Sequence, residues 1–432
     1  MDGKLGTSLI TAATVVDGTG RPGPSATGIL VEDGVIRQVG PREALIAPPS
    51  ADVVDLGSWT LMPGLIDAHT HFSGVTSDKL YLRYFESDAY RALWAADEAR
   101  RMLEAGITAA RCCGSPITPS LRRAINDGLV AGPRLVAAGA FVCTTSGGWD
   151  PDQAFSLPLD YAKANKVIAD GVDGLVEMVR QRIRSGSNFI KIANSKGKWN
   201  DGFHVWGDDP YDQALGMRPE EVRAVIEEAH NNRMRVAVHS VGDEAIRTAL
   251  QYGADTIEHG YGISDDTRRL LVDSQTTVVT TFLVLELMRL NVAPWGFSEA
   301  IVDKHIDAQR ADFEKGLAAG VRYALGSDLY GRPTHPLDAF ARELELAVAY
   351  GMTPEQAVVG GTLRSAEALG MADSIGSIEP GKLADVIGVD GDPRDDITAV
   401  HRVGFVMQGG RVVVDRRDDG GAGAALRRAP LV

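Results

Sequence analysis

Two histidines one residue apart, His69 and His71, close the apolar run LMPGLIDAHTHFSG. Side chains two apart on a strand point to the same face, so this pair can grip one ion. Further along, RVAVHS holds His239, DTIEHG holds His259 and VRYALGSD ends on Asp328. Four of the nine histidines thus fall at the ends of apolar runs. Taken singly, each is open to reading as a hydrogen-bonded core residue. Together, neutral imidazoles and a carboxylate are what a divalent ion such as zinc takes, and metal binding is the leading account.

Lys191 poses a separate question, because its neighbours in NFIKIANS are apolar. An unpaired buried ammonium is costly, and a lowered pKa is its usual escape. Two readings stay open. One is an ion pair with an acid such as Asp150 or Asp208. The other is a neutral amine that captures carbon dioxide as a carbamate, an anionic two-oxygen ligand able to bridge two ions.

The elements that must hold these groups are eight buried strands at LMPGLID, GITAAR, RLVAAGAF, NFIKIA, RVAVHS, DTIEHG, TTVVTT and VRYALGSD, mostly separated by helical segments. After Arg218-Pro219, apolar Val222, Val225, Ile226 and Ala229 recur at helical spacing, and Asn231-Asn232 ends that helix. Eight alternating units predict a (β/α)8 TIM barrel of the α/β class, with an open doubly wound sheet as the alternative. In such barrels catalytic groups sit at the C-terminal ends of the strands. Residues 1–59 read instead as short strands, with hairpins signalled at Asp17-Gly18 and Asp33-Gly34, and LADVIGVDG and VGFVMQGGRVVVD near the other end have the same texture. Residues 1–59 and 371–432 are therefore expected to form one small composite β-sandwich domain around a barrel of residues 60–370.

At 432 residues the chain can bury a large core, and its 44% hydrophobic and 24% charged residues are ordinary for a globular protein. The net charge of -14 argues against nucleic acid or an anionic membrane as partner. The start lacks a basic segment followed by an apolar core, and no apolar run approaches the length of a membrane span, so a cytoplasmic protein is expected. Three cysteines, Cys112, Cys113 and Cys143, predict reduced thiols rather than a disulfide framework. There is no phosphate-binding loop, no dinucleotide fingerprint and no nucleophile elbow.

PGLIDAHTHF, the Lys of FIKIA, VHS, IEHG and LGSD are similar, in order and context, to the metal ligands of the amidohydrolase superfamily, and PGKLADVIGVDGDP resembles part of its small β domain. The resemblance spans residues 5–415. FIKIA, the EEAH helix and EHG are most like the branch containing imidazolonepropionase-like proteins, Xaa-Pro dipeptidases and ochratoxin hydrolases. It implies two divalent ions, with zinc the expected metal: His69, His71 and Asp328 on one, His239 and His259 on the other, and carboxylated Lys191 with a hydroxide bridging them. Asp328 would be the general acid/base in hydrolysis of a C–N acyl bond in a small-molecule substrate. A homo-oligomer is the family-level expectation.

Two stretches depart from those relatives. Where they often have TGGHGD, this chain reads TTSGGWDPD and places Trp149, and where they often have HAHG it reads HSVG. An indole NH donates a hydrogen bond but carries no charge. That favours a less polar amide, carbamate or urea, of N-acyl amino acid or aryl amide type, over an Xaa-Pro dipeptide. An Xaa-Pro-type dipeptidase or a cyclic-amide hydrolase or deaminase of the same superfamily is the rival enzyme, and a non-catalytic barrel scaffold the rival outside enzymes. In the long loop SKGKWNDGFHVWGDDPYDQALG, Trp199, His204 and Trp206 are candidates for the pocket wall or for a loop packed on its own aromatics. Arg332 and His335, after Asp328, could meet a substrate carboxylate or hold their loop.

Overall fold

Each of the eight apolar runs contains a strand, and all of these strands are buried along nearly their whole length except the one in RLVAAGAF, where Arg134 and Val136 are only half-buried. Coverage of both faces is why the runs read as continuous rather than alternating hydrophobic segments. In chain order they are β1 (Leu65–Thr70), β2 (Ile107–Cys112), β3 (Arg134–Ala137), β4 (Phe189–Ala193), β5 (Arg235–Ser240), β6 (Thr256–His259), β7 (Thr277–Thr280) and β8 (Tyr323–Leu325). The structure, a computed structural model, describes residues 6–21, 25–76, 85–150, 168–197, 206–290, 298–331, 336 and 338–417.

Strands β1 to β3 pair in parallel, and β4 to β8 form a second parallel sheet in chain order. Backbone hydrogen bonds join the two sheets at both junctions. Between β3 and β4, Asn188 N donates to Ala137 O (2.7 Å) and Val142 N to Lys191 O (3.0 Å). Between β8 and β1, Asp328 N donates to His69 O (2.8 Å) and His71 N to Leu329 O (2.6 Å). With helices between most successive strands, this is a TIM-barrel-type α/β fold. The helix Pro219–Asn231 buries Val222, Val225, Ile226 and Ala229, the stripe its periodicity predicts.

Strands from both chain ends build two further sheets. One runs in the order Val35–Gly40, Gly28–Glu32, Thr7–Thr11, Asp52–Asp55. The other runs Arg411–Asp415, Val403–Gln408, Val386–Val389, Thr60–Pro63, Thr14–Val15, so its middle is a partnership of sequence-distant segments. Ile10, Ile29 and Ile36 from the first pack in one cluster with Leu61, Val386 and Phe405 from the second.

Three details differ from the sequence expectation. Asp33-Gly34, with φ of 49° and 79°, does turn a hairpin, but Asp17-Gly18 does not: the strand before it, Thr14–Val15, pairs in parallel with Thr60–Pro63. LMPGLID is two strands rather than one, split at Gly64. A Cβ at Gly64 would lie 2.1 Å from Thr108 Oγ1, so only glycine lets the chain pass from the end sheet into β1 here. Strand β1 also runs past Asp67 to Thr70, which puts His69 inside the strand.

The end sheet is tied to the parallel strands through Asp385, buried beside Val386–Val389. It accepts from Arg134 of β3 at 2.6 and 3.1 Å and from Gly409 N at 2.6 Å. Asp385→Ala is expected to destabilise the protein by about 1.5–3 kcal/mol, the range for hydrogen bonds to a charged group, read as a lower urea midpoint with unchanged slope.

Candidate metal centre

His69 and His71 share a face because they are two apart, and Asp67 shares it too. Asp67 accepts from His69 N (3.2 Å), Ser327 N (3.0 Å) and Ser327 Oγ (2.6 Å), which pins the loop after β8 to β1. Burial pushes its carboxyl up to about 7. His259 and Asp328 hold left-handed backbones, with φ of 72° and 52°. Such conformations cost a non-glycine residue on the order of 1–3 kcal/mol and persist where surrounding contacts over-determine them. Regular alternation would send Glu258 and His259 to opposite faces. The left-handed turn brings the His259 ring to 5.1 Å from His69 while Glu258 bonds the same imidazole.

The result is a buried cluster at the C-terminal ends of the strands. The His239 and His259 rings are 4.5 Å apart and those of His69 and His71 5.4 Å apart. His71 Nε2 lies 3.0 Å and His69 Nε2 3.6 Å from Asp328 Oδ1. One ligand atom each from His69, His259 and Asp328 fall within 4.8 Å of one another, a grouping that can hold a metal ion. Burial and the nearby Lys191 lower the His69 imidazole to about 4, and burial with the adjacent histidines keeps His259 well below its ordinary value. Both are therefore neutral at pH 7, the form that ligates.

Lys191 is 1% exposed, and its Nζ has no hydrogen-bond partner among the described residues, so it makes no hydrogen bond to Asp150 or Asp208. Burial lowers its amine below the usual lysine range. An unsatisfied buried amine beside imidazoles and a carboxylate is what a site for a divalent ion bridged by a modified lysine would contain, so the donor set fits the metals.

The sequence reading missed the partners that orient these rings. His69 Nδ1 donates to Glu258 Oε2 (2.7 Å), His71 Nδ1 to Gly114 O (3.0 Å), and His259 Nδ1 pairs with Thr281 Oγ1 (2.7 Å). Glu258 in turn accepts from Arg111 at 2.7 and 2.8 Å and from Thr256 Oγ1 at 2.6 Å. Burial alone would raise the Glu258 carboxyl, but the Arg111 guanidinium and Lys191 hold it well below the carboxylate range. The signal was available: Arg111 and Glu258 are opposite charges inside apolar strands, and each needs a partner. A second grouping, His69 with Cys113 and Glu258, is a poor ion site, because Glu258 is engaged by Arg111 and burial pushes the Cys113 thiol up.

Aromatic rings wall this cluster. Tyr330 stacks on His71 at 4.4 Å, Trp149 stacks on Phe141 at 4.6 Å, and Trp149 lies 6.1 Å from His71 and 6.4 Å from His239. Trp206 packs edge-on against His259 (4.6 Å) and His239 (5.6 Å), and also stacks on Tyr261. Tyr330 and Phe141 went unnoticed in the sequence because single aromatics carry no spacing signal. Trp199, His204, Arg332 and His335 lie outside the described residues.

Fold and site together define a TIM-barrel-type α/β protein with a candidate His/Asp metal centre at its strand ends. The family described as "Amidohydrolase family" matches residues 60–413. Ochratoxinase of Aspergillus niger is 30% identical, the match covering 94% of this chain and 86% of the relative. Imidazolonepropionase of Pseudomonas aeruginosa (strain LESB58) is 27% identical over 84% of this chain and 87% of its own. A crystal structure of a Xaa-Pro dipeptidase with bound methionine in the active site superposes with a TM-score of 0.81 at 29% identity, covering 94% of this chain and 99% of that one. The chain belongs to the amidohydrolase family, in the branch of these relatives, and is a hydrolase of C–N bonds.

Because Lys191 Nζ is buried without a hydrogen bond, Lys191→Met should stabilise the chelator-treated, metal-free protein by about 1–3 kcal/mol, the penalty of leaving a buried polar group unsatisfied. A thermal melt checks this, and an unchanged or lowered midpoint would show that the amine is satisfied.

Proposed function

We propose that the chain is a metal-dependent hydrolase of an amide, carbamate or urea bond, on a closed (β/α)8 barrel of residues 60–370 with a composite β sandwich from residues 1–59 and 371–432. The observation that carries the reading is the convergence of His69, His259 and Asp328 within 4.8 Å, beside a buried Lys191 that has no hydrogen bond. His69, His71 and Asp328 would hold one divalent ion and His239 and His259 a second, with zinc the expected metal. Lys191 would bridge them as a carbamate: its neutral amine attacks carbon dioxide, the N–C bond forms and one proton leaves. Bound ions of this kind lower the pKa of a shared water and polarise the substrate carbonyl.

The chain's own groups supply the rest. Asp328 takes the proton of the attacking water and passes it to the leaving nitrogen, the acid/base role of a carboxylate in reach of both. Tyr330, Trp149 and Trp206 present uncharged ring surface beside the ligand histidines, which suits the apolar part of an N-acyl amino acid or aryl amide better than an Xaa-Pro dipeptide. His204, Arg332 and His335 remain candidates for contact with a substrate carboxylate. We also take the enzyme to be a cytoplasmic homo-oligomer, a location in keeping with three buried, unbridged cysteines. No helix among the described residues is long and apolar enough to cross a membrane.

The test is metal analysis after metal-replete expression, combined with hydrolysis of N-acyl amino acids, dipeptides, aryl amides, aryl ureas and lactones. Aryl amides, ureas and N-acyl amino acids are expected to outrun dipeptides. Less than about one tightly bound ion per chain sinks the metal-dependent reading, and a preference for dipeptides or lactones sinks the substrate assignment. Asp328→Asn is expected to lower kcat by several orders of magnitude with the fold retained, and near-wild-type turnover would remove Asp328 from the mechanism.

A further inference from the structure

Glu258 and Arg111 are buried, and their side-chain hydrogen bonds gather around His69 and the residue before it. Glu258 Oε2 accepts from His69 Nδ1 at 2.7 Å. Arg111 holds both oxygens of that carboxylate, donates through Nε to Ala68 O (2.7 Å), the residue before His69, and reaches Thr256 Oγ1 (3.0 Å). Thr256 Oγ1 donates to Glu258 Oε1 at 2.6 Å. One guanidinium thereby ties β1, β2 and β6 together at the height of His69.

We infer that Glu258 and Arg111 are positioning residues that fix His69 with its proton on Nδ1 and its Nε2 lone pair turned toward Asp328 and the metal centre. The carboxylate selects the tautomer because it can only accept, so Nδ1 must donate. With Nδ1 occupied, Nε2 is the free ligand atom, and it lies on the Asp328 side. Arg111 neutralises Glu258, so the imidazole gains a strong acceptor without a net negative charge being added beside the ligands. Outer partners of this kind raise ligand basicity and lock ring orientation. A tie that only stabilised the barrel would need neither the short bond to Nδ1 nor an acceptor-only partner there.

The inference rests on His69 being a metal ligand. If the wild-type protein takes up no metal, that reading fails; if the wild type binds normally and Glu258→Gln does too, only this inference fails. The experiment compares wild-type protein and Glu258→Gln by competition for Zn2+ against a chromophoric chelator, by the visible spectrum of the Co2+-loaded forms, and by the melt of the metal-free forms. Metal affinity is expected to fall 10–100-fold, with a shifted Co2+ spectrum and a metal-free melt within a few degrees of wild type. Unchanged affinity, or weakened affinity with an unchanged Co2+ spectrum, overturns the positioning role. Should Glu258→Gln not fold, nitrogen-15 NMR of histidine in the metal-free wild type decides: His69 protonated on Nδ1 supports the inference, and on Nε2 overturns it.

Discussion

Polar groups removed from water must be paired, and the strand ends of this protein concentrate that requirement. His69, His71, His239, His259, Asp328 and Lys191 are all nearly inaccessible. Three of the six are answered from outside the cluster: Glu258 and Gly114 O take the Nδ1 protons of His69 and His71, and Thr281 pairs with His259, while Arg111 in turn answers Glu258. Lys191 Nζ is left without a hydrogen bond. A network satisfied at its edges and open at its centre is arranged around something that enters later, since a buried unsatisfied amine otherwise costs stability.

That requirement also accounts for local strain. His259 and Asp328 take left-handed backbones that alternation along a strand would not produce, and neither is a glycine. The strain is held by neighbours: Asp67 clamps Ser327, the residue before Asp328, through backbone and hydroxyl. After β6, Asp312 accepts from the backbone of Gly262 and Ile263 and is itself held by Arg268. Both carboxylates, Asp67 and Asp312, lie on segments remote in sequence from the backbone they hold.

The end sheets belong to the same economy of long-range contacts. Gly64 lets the chain leave one sheet and enter β1 without a side chain striking Thr108. Arg134 and Asp385 then lock the far end of the chain against β3. At the junction itself, Gly64 N donates to Asp385 O (2.9 Å), so the same segment that holds Arg134 also holds the entry to β1.

Much of this was readable from residues alone. All eight strand positions followed from apolar runs bounded by turn residues, because a strand covered on both faces is apolar at most of its positions. The helix at Pro219–Asn231 followed from its stripe, and His69 with His71 from the two-residue period of a strand. Pairing was less accessible: Asp17-Gly18 has the composition of a hairpin turn, yet the strand before it pairs in parallel with the sequence-distant Thr60–Pro63, with Val15 in register with Leu61. Glu258, Arg111, Tyr330 and Phe141 were visible only as isolated residue types. Sequence by itself determined which residue types sit where along the strands, since periodicity and burial are local properties. The tertiary structure alone decided which of them meet, because a hydrogen bond between residues 69 and 258 or a ring stack between 71 and 330 depends on strand register and backbone turns that no local pattern encodes.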